Sequence, residues 1–113
     1  GVLISLSEKL LFTPGTARLQ DEAYPVLDTI IEMLKDGENP IRVVGHTDNV
    51  GSREPNVILS EFRARAVSGY LQKKGVLESQ IITKWEGPDR QAAIANAPEK
   101  IDNNRRVVIE IIK

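Results

Sequence analysis

The fold is decided by the stretch from Gly45 to Arg65, GHTDNVGSREPNVILSEFRAR. The β-branched run 41–44 before it predicts a short buried strand, and a helical pattern follows from about Leu59 to Lys74. One side of that helix carries an apolar stripe, made of Leu59, Phe62, Ala66, Val67 and Tyr70. Arg63 falls inside the stripe, whereas Arg65 points to solvent. The sequence therefore predicts a buried guanidinium.

Arg63 needs a negatively charged partner, because an unpaired charge among core residues is costly. A helix beginning near Leu59 would also place Arg63 in the first turn, where the helix dipole disfavours cations. Asp48 is the candidate partner, in the loop that leaves the preceding strand. Two alternatives remain open from the residues alone. The pair either forms an internal salt bridge or binds a small zwitterion, with an ammonium on Asp48 and a carboxylate on Arg63.

Composition bounds the classes of function. The chain has 113 residues, 41% of them hydrophobic, which suits one domain with a modest core. A net charge of −1 provides no broad cationic surface, so we expect no nucleic-acid partner. No apolar run would span a bilayer, and no signal peptide is visible. The absence of cysteine and the presence of one histidine argue against metals, and we expect no cofactor.

The pattern predicts alternating strands and helices. The predicted elements are one or two strands in 2–6 and 10–12, a turn at 13–16, a helix from Asp21 to Gly37, strands at 41–44, 81–85 and 105–112, a helix at 59–74 and a helical turn at 91–97. The strands at 41–44 and 81–85 flank a helix and are therefore expected to be parallel. Because the chain opens on Gly1 and passes directly into strand-like sequence, we expect a domain excised from a longer protein.

Other chemical signals are weak. No nucleophile elbow, phosphate-binding loop or paired-histidine motif is present, so an acid–base pair of His46 and Asp48 is only a third, hydrolytic alternative. His46 is interpreted instead as a packed or hydrogen-bonded loop residue. Trp85 and Tyr70 could stack on a sugar, but core positions are favoured for both. The segment 104–106 is either an anion site or a solvated strand edge.

Several spaced motifs together resemble the OmpA C-terminal-like domain, the peptidoglycan-binding module of outer-membrane, lipoprotein and flagellar stator proteins. The motifs are Gly45–Asn49, Asn56 with Leu59–Ser60, Arg63–Ala64 and Asn104–Val107. The resemblance extends over nearly the whole chain from Phe12 onward. It implies a single domain, 1–113, with a βαβαβ-type α/β sandwich fold. In that fold a mixed sheet carries its helices on one face, and no enzymatic activity is expected.

The resemblance also implies a ligand and its site. Family members bind the diaminopimelate of the peptidoglycan stem peptide without a covalent bond. Motif matching assigns the zwitterionic end to Asp48 and Arg63. The remaining implied contacts come from Asn56 and Leu59, from backbone groups of Thr47 and Asn49, and further from Phe12, His46 and Arg106. The chain is then expected to be the periplasmic domain of a Gram-negative envelope protein, anchoring it to the wall, with a homodimer or envelope-complex partner as further expectations.

Some positions depart from the family pattern and define an alternative function. Thr13 stands where lipoprotein-like members carry an acidic residue, and both 85–91 and 99–101 differ from the usual sequence. The altered 86–101 segment favours, as the alternative, a structural or assembly domain of a stator or type VI secretion component that has kept the fold and lost peptidoglycan binding.

Overall fold

The computed structural model describes residues 2–34, 39–47, 53–88 and 106–112, and the side chains of all of these except 47, 53, 54, 56 and 86–88. The elements are β1 (Val2–Ser7), α1 (Glu8–Leu11), α2 (Ala23–Leu34), β2 (Ile41–Thr47), α3 (Arg53–Lys73), a 3₁₀ turn (Glu78–Gln80), β3 (Ile81–Pro88) and β4 (Arg106–Ile111). No helix within these ranges is both long and apolar enough to cross a membrane.

The four strands form one mixed sheet in the order β1-β4-β2-β3. β2 and β3 run parallel, as predicted, with Ile41 opposite Ile81 and α3 connecting the two strands. β4 is antiparallel to both β1 and β2 and lies between them. The predicted α/β class with a mixed sheet is confirmed.

The helices supply one side of a single core. In β4 the predicted alternation is confirmed, because Val107, Ile109 and Ile111 are buried whereas the residues between them are partly exposed. The helical members of the core include Leu11 from α1; Leu27, Ile30 and Ile31 from α2; and Ala64, Val67 and Leu71 from α3. On the opposite face of the sheet, Arg42 pairs with Glu110 at 2.6 Å from Nη1 to Oε1. The prediction that helices pack on one face is confirmed.

The predicted strand at 10–12 and the predicted start of α3 are wrong. The apolar run 10–12 is not a strand, because Ser7 caps a short helix by accepting a hydrogen bond from the backbone N–H of Leu10 at 3.3 Å. α3 begins at Arg53 rather than near Leu59, and its third residue is a proline, which the first turn of a helix tolerates. Arg63 therefore lies in the middle of a 21-residue helix, and the argument from the helix dipole does not apply.

The buried side of α3 is also rotated from the predicted stripe. Phe62 is 55% exposed, which contradicts its assignment to the apolar face. The buried positions are Ser60, Arg63, Ala64, Val67, Ser68 and Leu71. Polar residues therefore occupy part of this face, so apolar periodicity alone does not locate it. The predicted turn at 13–16 is confirmed, whereas the predictions for Gly37 and for 91–97 lie outside the described residues.

Candidate functional site

Arg63 is buried, as predicted, with only 4% of its surface exposed. Its Nε donates a hydrogen bond to the carbonyl oxygen of Thr16 at 3.0 Å, and its Nη2 lies 3.5 Å from Oε1 of Glu8. Its Cζ lies 4.9 Å from the centre of the Phe12 ring, within cation–π range. A carbonyl, a carboxylate and an aromatic face thus compensate the buried charge. All three come from the segment between β1 and α2.

This segment, Glu8–Gln20, is hereafter called the collar. Backbone hydrogen bonds join the two sides of its turn, from Gln20 N–H to the Leu11 carbonyl at 3.0 Å and from Thr13 N–H to the Arg18 carbonyl at 3.0 Å. A bridge between Phe12 and Leu19 lies between these bonds. The collar is therefore fixed by the backbone itself.

Further contacts hold the collar at its beginning and at its tip. The side-chain amide of Gln20 donates a hydrogen bond to the carbonyl of Leu10 at 2.9 Å. This bond provides a donor for one of the backbone carbonyls at the end of α1. At the tip, Thr16 N–H donates to the Thr13 carbonyl at 3.1 Å, and Gly15 adopts φ of 72°. That left-handed conformation favours glycine. The Thr16 carbonyl that accepts from Arg63 is thus part of an ordered turn.

The position of α3 brings Arg63 to the carboxyl end of β2. Gly45, near that end, packs directly against the backbone of Ser60 and the side chain of Ala64, one residue from Arg63. Ser60 is itself buried, and its hydroxyl donates to the Val57 carbonyl at 2.7 Å. Ligands of open α/β sheets commonly bind outside the carboxyl ends of strands. The guanidinium therefore lies where a ligand site is expected.

The predicted site residues fall into separate groups. Phe12 is buried at 2% exposure and lies against Arg63, so the structure brings these two together. Leu59 is partly buried on α3. Thr47 ends β2 and Asn56 lies in the first part of α3, but their side chains are not among those described. Asp48 and Asn49 lie outside the described residues.

His46 and Arg106 are neighbours in register on β2 and β4. Gly45 faces α3, so the alternation of the strand directs His46 to the opposite face of the sheet. Arg106 likewise alternates with the buried Val107. The alternation therefore places this pair on the face of the sheet opposite α3.

Glu8 is the residue that the sequence reasoning missed. Its side chain is only 16% exposed, and its carboxylate faces Arg63. The available signal was local: a serine followed by an acidic residue is typical of a helix start. That signal predicts α1, but no spacing rule connects position 8 with position 63.

The aromatic predictions need correction. Trp85 is 36% exposed rather than core, and Cζ of Arg65 lies 5.1 Å from its ring centre. Tyr70 is partly buried at the edge of the core, and its hydroxyl donates to Oδ1 of Asp28 at 2.6 Å. This hydrogen bond, together with desolvation and the negative charge of Asp28, raises the pKa of Tyr70 to about 12. Within the described ranges, no cluster of three or more histidine, aspartate or glutamate side chains could hold a metal ion.

The collar, the mixed sheet and a buried arginine beside the end of β2 define a small α/β domain with a candidate carboxylate-binding position. The chain belongs to the OmpA family, whose model matches residues 11–105. This is the family of OmpA-like peptidoglycan-binding domains, which are non-enzymatic proteins of the cell envelope. The expectation that the chain is not an enzyme is thereby confirmed, and the hydrolytic alternative is wrong.

Individual relatives cover much of this chain. A photosystem I P700 chlorophyll a apoprotein A2 of Gloeobacter violaceus is 32% identical over 98% of the chain but only 14% of that protein. A peptidoglycan-associated lipoprotein of Pseudomonas putida is 36% identical over 85% of the chain and 58% of that protein. The structure of the cell wall anchor of the T6SS from Pseudomonas aeruginosa matches with a TM-score of 0.84 at 26% identity, over 97% of this chain and 80% of the other. The chain thus spans 14% and 58% of these two curated relatives.

Proposed function

We propose that this domain binds peptidoglycan non-covalently through the diaminopimelate of the stem peptide. It thereby anchors a larger Gram-negative envelope protein, from the periplasm, to the cell wall. Membership of the OmpA family supports the proposal, as do a relative named for its association with peptidoglycan and a structural neighbour described as a cell wall anchor. Attachment of the same protein to a membrane is part of the proposal.

The observation that carries the proposal is the buried guanidinium of Arg63. A guanidinium presents a planar set of donors that matches a carboxylate, and such contacts are strongest where water is excluded. The contact with Glu8, at 3.5 Å, is longer than the roughly 2.7–2.9 Å of a charge-assisted hydrogen bond. Glu8 therefore compensates the charge of Arg63 across this longer separation. In the proposed complex, the carboxylate of diaminopimelate binds Arg63 and the ammonium group of diaminopimelate binds Asp48.

The remaining proposed contacts complete a small pocket. Asn56 and Leu59 line it, and backbone groups of Thr47 and Asn49 contribute hydrogen bonds. The two charge-assisted contacts favour binding, whereas the loss of freedom of the bound ligand opposes it. The resulting Kd for one site is roughly micromolar to millimolar. Because the wall presents many copies of the stem peptide, a homodimer or an array within an envelope complex would attach firmly through effective concentration.

The proposal is tested by titrating a diaminopimelate-containing muropeptide into the wild-type domain and its variants. Asp48→Ala and Arg63→Ala are each expected to weaken binding by about tenfold or more, since each removes a charge-assisted contact. Arg65→Ala is the matched control, because Arg65 lies two residues away on α3 with a side chain that is 57% exposed. Circular dichroism verifies folding. Unchanged affinity in both site variants would overturn the proposal.

Arg63→Lys separates binding from folding. Lysine retains the positive charge opposite Glu8 but lacks the planar fork, so the fold is expected to persist while affinity falls. A folded lysine variant that binds as tightly as the wild type would contradict the role given to the fork.

The alternative function is an assembly domain that has lost peptidoglycan binding. The altered 86–101 segment favours it. Failure of the folded wild-type domain to sediment with purified sacculi would support this alternative over wall anchoring.

A further inference from the structure

The further inference concerns Glu8, which contacts the proposed ligand-binding arginine. Glu8 is the first residue of α1, and the backbone there is well ordered by two hydrogen bonds. Ser7 caps the helix, and the Glu8 carbonyl accepts a hydrogen bond from Phe12 N–H at 2.9 Å. Leu11, three residues further along α1, is fully buried. From this backbone position the Glu8 side chain, which is 16% exposed, places its carboxylate beside Arg63.

A carboxylate beside Arg63 acts on any ligand that binds there. It repels an incoming carboxylate, because like charges a few ångströms apart interact strongly in a partly desolvated site. It equally attracts an ammonium group carried by the same ligand. For a zwitterionic end these two effects largely cancel, whereas for a ligand with only a carboxylate the repulsion remains.

We propose that Glu8 is a specificity-determining residue of this site, a resident counter-charge of Arg63 that admits a carboxylate only when the same ligand also brings an ammonium group. This inference rests on the proposed function, and it names the class of ligand that the site rejects: stem peptides and other carboxylates without a neighbouring cation. The role requires the charge of Glu8, not merely its shape.

The test compares two peptides on two charge variants. One peptide is the diaminopimelate-containing muropeptide, and the other is the same peptide with the diaminopimelate side-chain amine acetylated, which keeps the carboxylate and removes the cation. Glu8→Gln preserves the size of the side chain and removes its charge. Glu78→Gln is the matched control, since Glu78 is exposed and precedes β3, at the opposite end of the strand pair from the carboxyl end of β2.

The acetylated peptide is expected to bind the Glu8→Gln variant at least about fivefold more tightly than it binds the wild type. The unmodified muropeptide should change by less than about twofold, for the same electrostatic reason. The Glu78→Gln control should match the wild type with both peptides. Glu8→Asp retains the charge, so the affinity of this variant for the acetylated peptide should be as low as that of the wild type.

A second readout needs no ligand. The Nε–H of Arg63, bonded to the Thr16 carbonyl, should give a slowly exchanging side-chain resonance, assigned by its loss in Arg63→Lys. Glu8→Gln should shift that resonance, and Glu78→Gln should not. An unshifted resonance, or acetylated-peptide affinity equal to wild type in Glu8→Gln, would overturn the role of Glu8 while leaving the proposed function intact. Failure of the wild type to bind either peptide would overturn both.

Discussion

Gly45 on β2 and Ser60 on α3 approach so closely that a Cβ atom on Gly45 would overlap the carbonyl oxygen of Ser60. The same Cβ would lie 3.3 Å from the Cβ of Ala64. Backbone atoms cannot move aside as a flexible side chain can, so this contact requires glycine. It sets the distance between helix and strand, and thereby the position of Arg63 relative to the carboxyl end of β2.

Gly45→Ala is expected to destabilise the domain by about 2–3 kcal/mol, because the added methyl group must displace the α3 backbone from β2. Urea unfolding measures the change. Gly69→Ala is the control, since Gly69 lies on the exposed side of α3 with nothing within 4 Å of the added Cβ. That substitution should stabilise by about 0.5–1 kcal/mol through helix propensity. Equal effects at the two glycines would contradict the close approach.

Trp85 is expected to behave as a partly exposed tryptophan covered on one side by Arg65. Its fluorescence should be quenched by acrylamide, and it is the sole tryptophan of the chain, so the signal is unambiguous. Arg65→Ala should increase the quenching constant and cost no more than about 0.5–1 kcal/mol, as for an exposed cation–π contact. Emission and quenching typical of a buried indole would show that Trp85 belongs to the core after all.

Tyr70 gives the fold a dependence on alkaline pH. The hydrogen bond to Asp28 raises its pKa from 10.0 to about 12 in the folded protein. A raised folded-state pKa means that the stabilisation is fully present below pH 10 and is lost as pH rises from there through about 12. Tyr70→Phe should remove this loss of stability, as measured by urea unfolding across that range.

Asp28→Asn tests the cause of the shift. The amide lacks the negative charge, so the pKa of Tyr70 should fall towards its ordinary value. Phenolate absorbance reports the titration, in a Tyr24→Phe background that leaves Tyr70 as the only tyrosine. If the pKa of Tyr70 is the same with and without the Asp28→Asn substitution, the hydrogen bond to the carboxylate is not the cause.

The order of strands and helices could be predicted because it depends on the local spacing of apolar residues. Alternation in β4 and the β-branched start of β2 indicated strands, and the spacing in α2 indicated a helix. The burial of Arg63 could also be predicted, since a charge on the buried side of a helix stands out against its neighbours.

Other features depend on contacts that are distant in sequence. The first turn of α3, residues 53–56, carries no apolar period, so the sequence pattern does not mark the start of the helix. The buried face of α3 includes Ser60 and Ser68, and the Ser68 hydroxyl lies 2.8 Å from the Thr83 hydroxyl of β3. Partners on another strand make such polar positions tolerable in a core. The same applies to Glu8, which is an ordinary helix-start residue until α3 places Arg63 opposite it.

The pair Glu8 and Arg63 should be strongly coupled in stability. Arg63→Met leaves the Glu8 carboxylate largely buried without that counter-charge, which should cost about 2–3 kcal/mol after allowance for its residual exposure. Adding Glu8→Gln should cost less than the sum of the single changes, by about 1–2 kcal/mol. The exposed pair Arg65 and Glu61 is the control, with a shorter separation of 2.9 Å.

Solvent screens the control pair, so its coupling energy should be at most about 0.5 kcal/mol and should diminish in high salt. The coupling of the buried pair should persist in the same salt, because Arg63 is only 4% exposed and buried charges are screened much less than exposed ones. Double-mutant cycles by urea unfolding measure the coupling energy of each pair. Repeating them at low and high ionic strength shows how each coupling energy depends on salt. A coupling between Glu8 and Arg63 no larger than that of the shorter exposed pair would show that burial does not strengthen this contact. It would also remove the electrostatic basis for selectivity at the site.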